Sequence, residues 1–381
     1  MSSNVLRLFN FVYFAMLAMF ISFLPVYLDG EGISAKQIGL IIGTGGLVSV
    51  FSQPFWGVVS DKRKTVKLII LFILGMATVT GFFLYRTDEV WLLLGLTMVM
   101  YFFLLPIDPL TESLNFRIAE ENKVSYGSIR TFGAFGYAVM SLIVGIVVAK
   151  FGSPSLAWLF VGLGVLGLLL TLMLPDAPST SKPVTLSALK TFFSNRKTLG
   201  FLLLIFITAV PNRMNDQFLG IYLRELGGTV DGVGLAWFLS AGGEIIVFAL
   251  SYWWLRKGHE IGLILFASIF YVLRFVLSAW VKDPQILIYL QLLQALSFPV
   301  FYSAAIQYLY RIVPEEWRAT GQTVLAILFF GVSGIASSYL GGWYYDSFGG
   351  ESMYLLMAGL SAVGLGFSLF LRQMYEKAWK S

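Results

Sequence analysis

Seven charged side chains stand where charge is disfavoured: Asp108, Glu112 and Arg130 in or beside long apolar runs of the first half of the chain, and Arg213, Asp216, Glu244 and Arg274 in those of the second. A charge within a bilayer-spanning helix costs about 2.5–3.5 kcal/mol on insertion scales. Such residues are expected to face a bundle interior, paired or wetted. Asp108 and Glu112 are four apart and share one helix face, with Asn115 next along it, while Arg130, Gly133 and Tyr137 share a face of the following helix. NRMNDQ at 212–217 puts Arg213, Asp216 and Gln217 on one face, shortly after Pro211. The chemistry within reach is solute binding and proton carriage. Protonation lets a carboxylate lose both its charge and its arginine partner.

These side chains need a scaffold that holds them inside a bilayer. Of 381 residues, 57% are hydrophobic and 12% charged, about half the charge fraction of a soluble protein. Twelve apolar spans are expected at 8–28, 37–59, 66–85, 90–116, 127–149, 154–174, 198–223, 231–255, 261–280, 284–310, 319–344 and 351–371. An outer-membrane barrel would alternate polar and apolar residues, and these runs do not. With no cysteine, disulfides, thiolate metal sites and thiol nucleophiles are excluded. The net charge of +5 reads as loop bias rather than nucleic-acid affinity. The first apolar run leads straight into a second, so no cleavable signal is expected. The lone His259, in a short loop, reads as a solvated residue, and no metal, nucleotide or cofactor motif stands out. GTGG at 43–46 lies within a span, where glycine serves helix packing.

Orientation follows from the basic residues. With both termini inside, eighteen Lys and Arg fall in cytoplasmic segments, and five fall outside: Lys36, Arg86, Lys150, Arg224 and Lys282. That asymmetry places both termini in the cytoplasm. The longest polar stretch, 175–197, divides the chain into six-span halves at 1–174 and 198–381. The halves repeat: FLPVYL at 23–28 matches FLGIYL at 218–223, and Gly39 of IGL matches Gly234 of VGL, both at an offset of 195. Parallel repeats of this kind are the plan of the major facilitator superfamily, which the chain resembles. The plan implies a central cavity between the halves.

GVVSDKRKTVK at 57–67 resembles that superfamily's loop signature, G-x-x-x-D-[RK]-x-G-x-[RK]-[RK], with Lys64 in place of its second glycine and Val66 in place of a basic residue. The resemblance implies a gating role for Gly57, Asp61 and Lys62: the glycine for close helix contact, the aspartate to pair or cap. An ordinary basic loop is the alternative.

SYGSIRTFGAFGYA at 125–138 is similar to the helix 5 signature of the lactose permease and its relatives, including phenylpropionate permease-like transporters. In the permease a glutamate eighteen positions before the helix 5 arginine contacts sugar with it, and Glu112 stands eighteen before Arg130. The resemblance therefore implies substrate contacts for Glu112 and Arg130, and a stacking face from Tyr137. A buried ion pair that fixes helix packing is the alternative. Asp108 reads equally as a gate or as a helix-end residue. In the second half Glu244 matches a sugar-contacting glutamate, Arg274 a coupling arginine, and Asp216 a helix 7 aspartate whose lysine partner is here Gln291. Arg213 is then the expected partner of Asp216, and Arg274 that of Glu244. The permease's helix 10 histidine and glutamate are replaced by Gln294, expected among the substrate contacts, and Ser297. The proton acceptor must lie elsewhere: Glu244 first, then Asp216, with Glu112 and Asp108 behind.

The sequence is thus expected to fold as an all-α membrane protein of twelve transmembrane helices in two six-helix pseudo-repeats. The resemblance implies a monomeric secondary transporter in a bacterial cytoplasmic membrane. It would move a sugar, nucleoside or aromatic acid by alternating access with protons. The partners are then the solute, protons and the lipid bilayer, with no cofactor, metal or nucleic acid. A proton-coupled exporter is the alternative, and a non-transporting membrane sensor a further one. No nucleophile–base pair points to an enzyme.

Overall fold

The computed structural model describes residues 2–176 and 196–380, so most of the expected linker, with Lys182 and Lys190, lies outside the described residues. The first half comprises α1 (Ser2–Gly30), α2 (Ala35–Arg63), α3 (Lys67–Leu84), α4 (Val90–Phe103), α5 (Ile107–Glu121), α6 (Tyr126–Phe151) and α7 (Ser155–Met173). The second comprises α8 (Arg196–Glu225), α9 (Val230–Ala249), α10 (Glu260–Trp280), α11 (Pro284–Ile312), α12 (residues 318–348) and α13 (residues 350–380). No strand occurs among the described residues.

Among the described residues, eleven helical segments are long and apolar enough to cross a membrane, α4 and α5 together counting as one. The last is 54 residues long, which at 1.5 Å per residue is about 80 Å and exceeds two hydrocarbon thicknesses. It breaks at Gly349, where φ is 81° and ψ 170°, so it crosses twice and the fold has twelve spans.

Four expected spans are less regular than the hydropathy suggests. The fourth breaks before Pro106, whose ring supplies no N–H, and α5 restarts with Pro109 in its first turn, where a missing donor costs nothing. The eighth stops at Ala249, short of 255, and a brief turn at Ser251–Trp254 follows. Within α11 a 3-10 turn spans Gln291–Leu293, and within α12 a π-helical stretch spans Ile327–Val332. At the end of α2, Lys64 adopts φ 54° and ψ 33°. The loop signature carries glycine there because a left-handed residue ends the helix, and lysine tolerates it at about 1–2 kcal/mol.

The two halves meet at backbone distance at two crossings. A Cβ at Gly39 of α2 would lie 2.1 Å from the Ser338 carbonyl oxygen and 3.1 Å from Gly342 Cα in α12. A Cβ at Gly234 of α9 would lie 2.5 Å from the Ser141 oxygen and 3.0 Å from Gly145 Cα in α6. Gly39 and Gly234 are the equivalent glycines of the internal repeat, so one contact has been made twice. A third contact joins Arg224 to Asp29 at 3.2 Å, again 195 positions apart. All three lie on the face opposite the chain termini.

Toward the other face the halves separate. The stripe of α2 that buries Gly39, Gly43 and Gly46 against α12 continues one turn at a time as Val50, Pro54, Gly57 and Asp61. Val50, Pro54 and Asp61 are exposed, and a Cβ at Gly57 would meet nothing within 4 Å. The close helix contact expected at Gly57 is therefore not made here, the other half standing off from this end of α2. Asp61 and Lys62 are exposed and form no ion pair among the described residues.

Candidate functional site

A cavity of about 320 Å³ lies between the halves on the splayed side of the crossings. Its first-half wall is Phe14 and Ile21 of α1 with Arg130, Ala134 and Tyr137 of α6. The opposite wall includes Asn212, Arg213 and Asp216 of α8, Trp237 and Glu244 of α9, Gln294 of α11 and Phe330 of α12.

Helical spacing accounts for this lining. On α6, Ser141 sits at the crossing, and Tyr137, Ala134 and Arg130 follow on the same stripe toward the opening. On α9 the stripe runs from Gly234 through Trp237 and Ala241 to Glu244 and Phe248. The π-helical stretch contains Phe330, as such bulges often do at functional sites.

Arg130 is the most constrained charge. Its Nε lies 2.6 Å from Glu112 Oε1, and its guanidinium sits 4.1 Å above the Phe14 ring. A Cβ at Gly133 would fall 2.6 Å from that ring, so glycine one turn on makes room for it. Tyr126 donates to Glu112 Oε2 at 2.6 Å. Glu112 thus stands behind Arg130 and does not itself line the cavity. Tyr137 does, with its hydroxyl 2.6 Å from Ser22 Oγ. Asn115 is fully buried and exchanges two amide hydrogen bonds with Asn10 of α1, at 2.8 and 3.2 Å. Asp108 lies off the cavity, its Oδ1 buried without a protein donor.

In the second half Arg213 Nη1 lies 2.7 Å from Asp216 Oδ2. Gln291 is turned to Asn215, whose Nδ2 approaches its Oε1 at 3.5 Å. Gln217 leaves the cavity and bonds α12, donating to Gly334 O at 3.1 Å and accepting from Ser338 at 2.9 Å. The pairing expected between Arg274 and Glu244 does not occur. Arg274 has no exposed surface, rests 4.6 Å over Phe275 and donates to Asn212 at 3.4 Å. The Asn212 carboxamide intercepts it, being the nearer acceptor. Glu244 lines the cavity, half-buried, with no ion-pair partner among the described residues. Gln294 is beside it.

The sequence reading missed Phe14, Asn212, Trp237, Phe248, Phe298 and Phe330 as wall residues. Trp237 and Phe248 were within reach, standing seven before and four after Glu244 on one helical face. No local signal marks Phe330, which depends on the π-helical register.

Three comparisons agree with this architecture. The MFS_1 like family model matches residues 4–356. The uncharacterized transporter YwbF of Bacillus subtilis (strain 168) is 27% identical over 354 residues, 92% of this chain and 88% of that protein. The maltose permease of Geobacillus stearothermophilus is 25% identical over 379 residues, 98% of this chain and 96% of that one. Among solved structures, the nucleoside transporter NupG superposes with a TM-score of 0.88 at 16% identity, covering 97% of this chain and 98% of that chain, which speaks to the fold alone.

Proposed function

The chain belongs to the MFS_1 like family of major facilitator transporters, and from that premise we propose that it imports a small organic solute by proton-coupled alternating access. The observation that carries the reading is a cavity shared by both halves, sealed on one face by two glycine crossings and open toward the other. With both termini cytoplasmic, the open face is the cytoplasmic one and this state faces inward. Arg130, with Glu112 fixed behind it, and Tyr137 form the first-half contact surface. Glu244 and Gln294 form the second.

Glu244 is the proton carrier in this reading. It is the acid on the cavity wall that no arginine holds, whereas Asp216 is held by Arg213. A protonated Glu244 lets the loaded transporter reorient without a lone charge in the membrane, and its release to the cytoplasm resets the cycle. Gly57, Asp61 and Lys62 would engage only in the opposite state, when the splayed face closes.

Reconstitution into liposomes tests this. An inward proton gradient should drive accumulation of the solute by the wild type. Glu244→Gln should lose accumulation while retaining solute exchange, since exchange needs no net proton release. A Glu244→Gln protein that still concentrates solute sinks the assignment. A second reading, proton-coupled export of an amphipathic solute, is favoured by the contacting rings of Phe248, Phe298 and Phe330 on the cavity wall, with centroids 6.1 and 6.2 Å apart. The same assay separates the two by the sign of the gradient response.

A further inference from the structure

We propose that the cavity takes an uncharged, hydroxyl-bearing solute and rejects organic anions, with Trp237 as a ligand-binding residue at its sealed end. This rests on reading the cavity as the solute-binding site.

The first observation is the disposition of charge. The two cations on the wall, Arg130 and Arg213, are each held by a carboxylate, at 2.6 and 2.7 Å. The third, Arg274, has no exposed surface and lies behind Asn212. Glu244 faces the cavity without a cation. A ligand carboxylate would therefore find the charge of both wall guanidiniums already neutralised by a carboxylate and the third out of reach, with an unpaired acid, Glu244, already present. Taking a charge out of water without a partner is strongly unfavourable.

The second observation is independent of charge. Trp237 lines the cavity, is only 6% exposed, and its indole N–H has no protein acceptor. Buried donors are nearly always satisfied in folded proteins. Trp237 stands one turn from Gly234, so it borders the crossing that seals the cavity. Glu244 follows seven residues later on the same face, about 10 Å nearer the opening by helix rise. A solute of that length can offer an acceptor to the indole at one end and a hydroxyl to Glu244 at the other. Ala134 and Ala241 leave apolar wall between them, suited to a ring. Glycosides and nucleosides share this chemistry.

Equilibrium binding to the purified full-length chain provides the test. The probes are methyl glucopyranoside and uridine, each against the analogue in which the terminal hydroxymethyl group is a carboxylate. At least one neutral probe should bind, and its carboxylate should bind about tenfold more weakly or worse. Silence of both neutral probes, or a carboxylate that binds as tightly as its parent, overturns the solute class. These arms use the wild type and do not depend on any variant folding. The arm that responds tells glycosides from nucleosides. Trp237→Phe should then weaken the responding probe about five- to tenfold, and Trp237→His, which restores an N–H, should recover part of the loss. Unchanged affinity in Trp237→Phe overturns the role of the indole. Binding as expected without uptake into liposomes would instead overturn the transport reading and leave this one standing.

Discussion

Arg130 is held on three sides at once, by Glu112, by the face of Phe14 and by the space that Gly133 leaves. A lysine there would keep the charge but lose the planar fork that fits a carboxylate while lying flat on a ring. Arg130→Lys should weaken solute binding about tenfold or more, as expected for a charge-assisted hydrogen bond of ~1.5–3 kcal/mol. The unfolding temperature should change little. A variant that unfolds early yet binds normally would instead assign the pair to helix packing. The pair was legible in the sequence because spacing along helices is local information: Glu112, Arg130 and Tyr137 needed only a period and a family signature. Arg213 and Asp216 were legible for the same reason. The partner of Arg274 was not, because α10 meets α8 only in the folded bundle, and there the Asn212 carboxamide stands in the way. The Asn10–Asn115 pair was half-visible, since Asn115 was placed on the face of Glu112 while its partner lies 105 positions away.

At the scale of helices, the crossings of α2 with α12 and of α6 with α9 depend on glycine because the facing atoms are backbone and cannot step aside. Gly234→Val should disfavour the sealed state by about 1–3 kcal/mol, the usual cost of overpacking. The chain contains no cysteine, so a single one introduced at Ala134, on the cavity wall, reports access without background. Its labelling by a membrane-impermeant maleimide added outside should rise several-fold in the Gly234→Val background. An unchanged rate would mean that the crossing is not the seal. Hydropathy found where the spans lie, but the breaks near Pro106, at Leu250 and at Gln291–Leu293 and the π-helical stretch of α12 escaped it. Average hydrophobicity is insensitive to a one-residue change of helical register. That change decides which ring, such as Phe330, faces the cavity.

For the whole molecule, the repeat was the most informative feature of the sequence, because equivalent positions must do equivalent work about a shared axis. Gly39 and Gly234 do so at the two crossings, and Asp29 and Arg224 meet each other with opposite charge. Both partners of that pair are about one-third exposed, so the pair itself contributes little, of the order of 0–1 kcal/mol. Reversing one charge places like charges together where the halves touch. Asp29→Arg should therefore raise outside labelling of the Ala134 cysteine, and the double exchange Asp29→Arg with Arg224→Asp should return it to the parental rate. If the double exchange stays raised, the pair does not join the halves. Orientation has its own check: reporters fused after Ser381 and within 281–283 should report cytoplasm and exterior respectively; reversed signals would overturn the orientation, and like signals at the two sites would overturn the span count.

Joined on one face and splayed on the other, the molecule is a wedge. It occupies more area in the leaflet where it gapes than in the leaflet where its halves are pressed together. In the proposed cycle, reversing the splay transfers that area from one leaflet to the other, so that the bilayer would do mechanical work on every turnover. Lipids that crowd the headgroup plane of the leaflet on the open face resist the gape, and conical lipids, whose headgroups leave room there, accommodate it. The balance between the two states is therefore partly a property of the membrane's curvature stress, and adding lysolipid to one side of a reconstituted vesicle should tilt it with a sign that depends on the side.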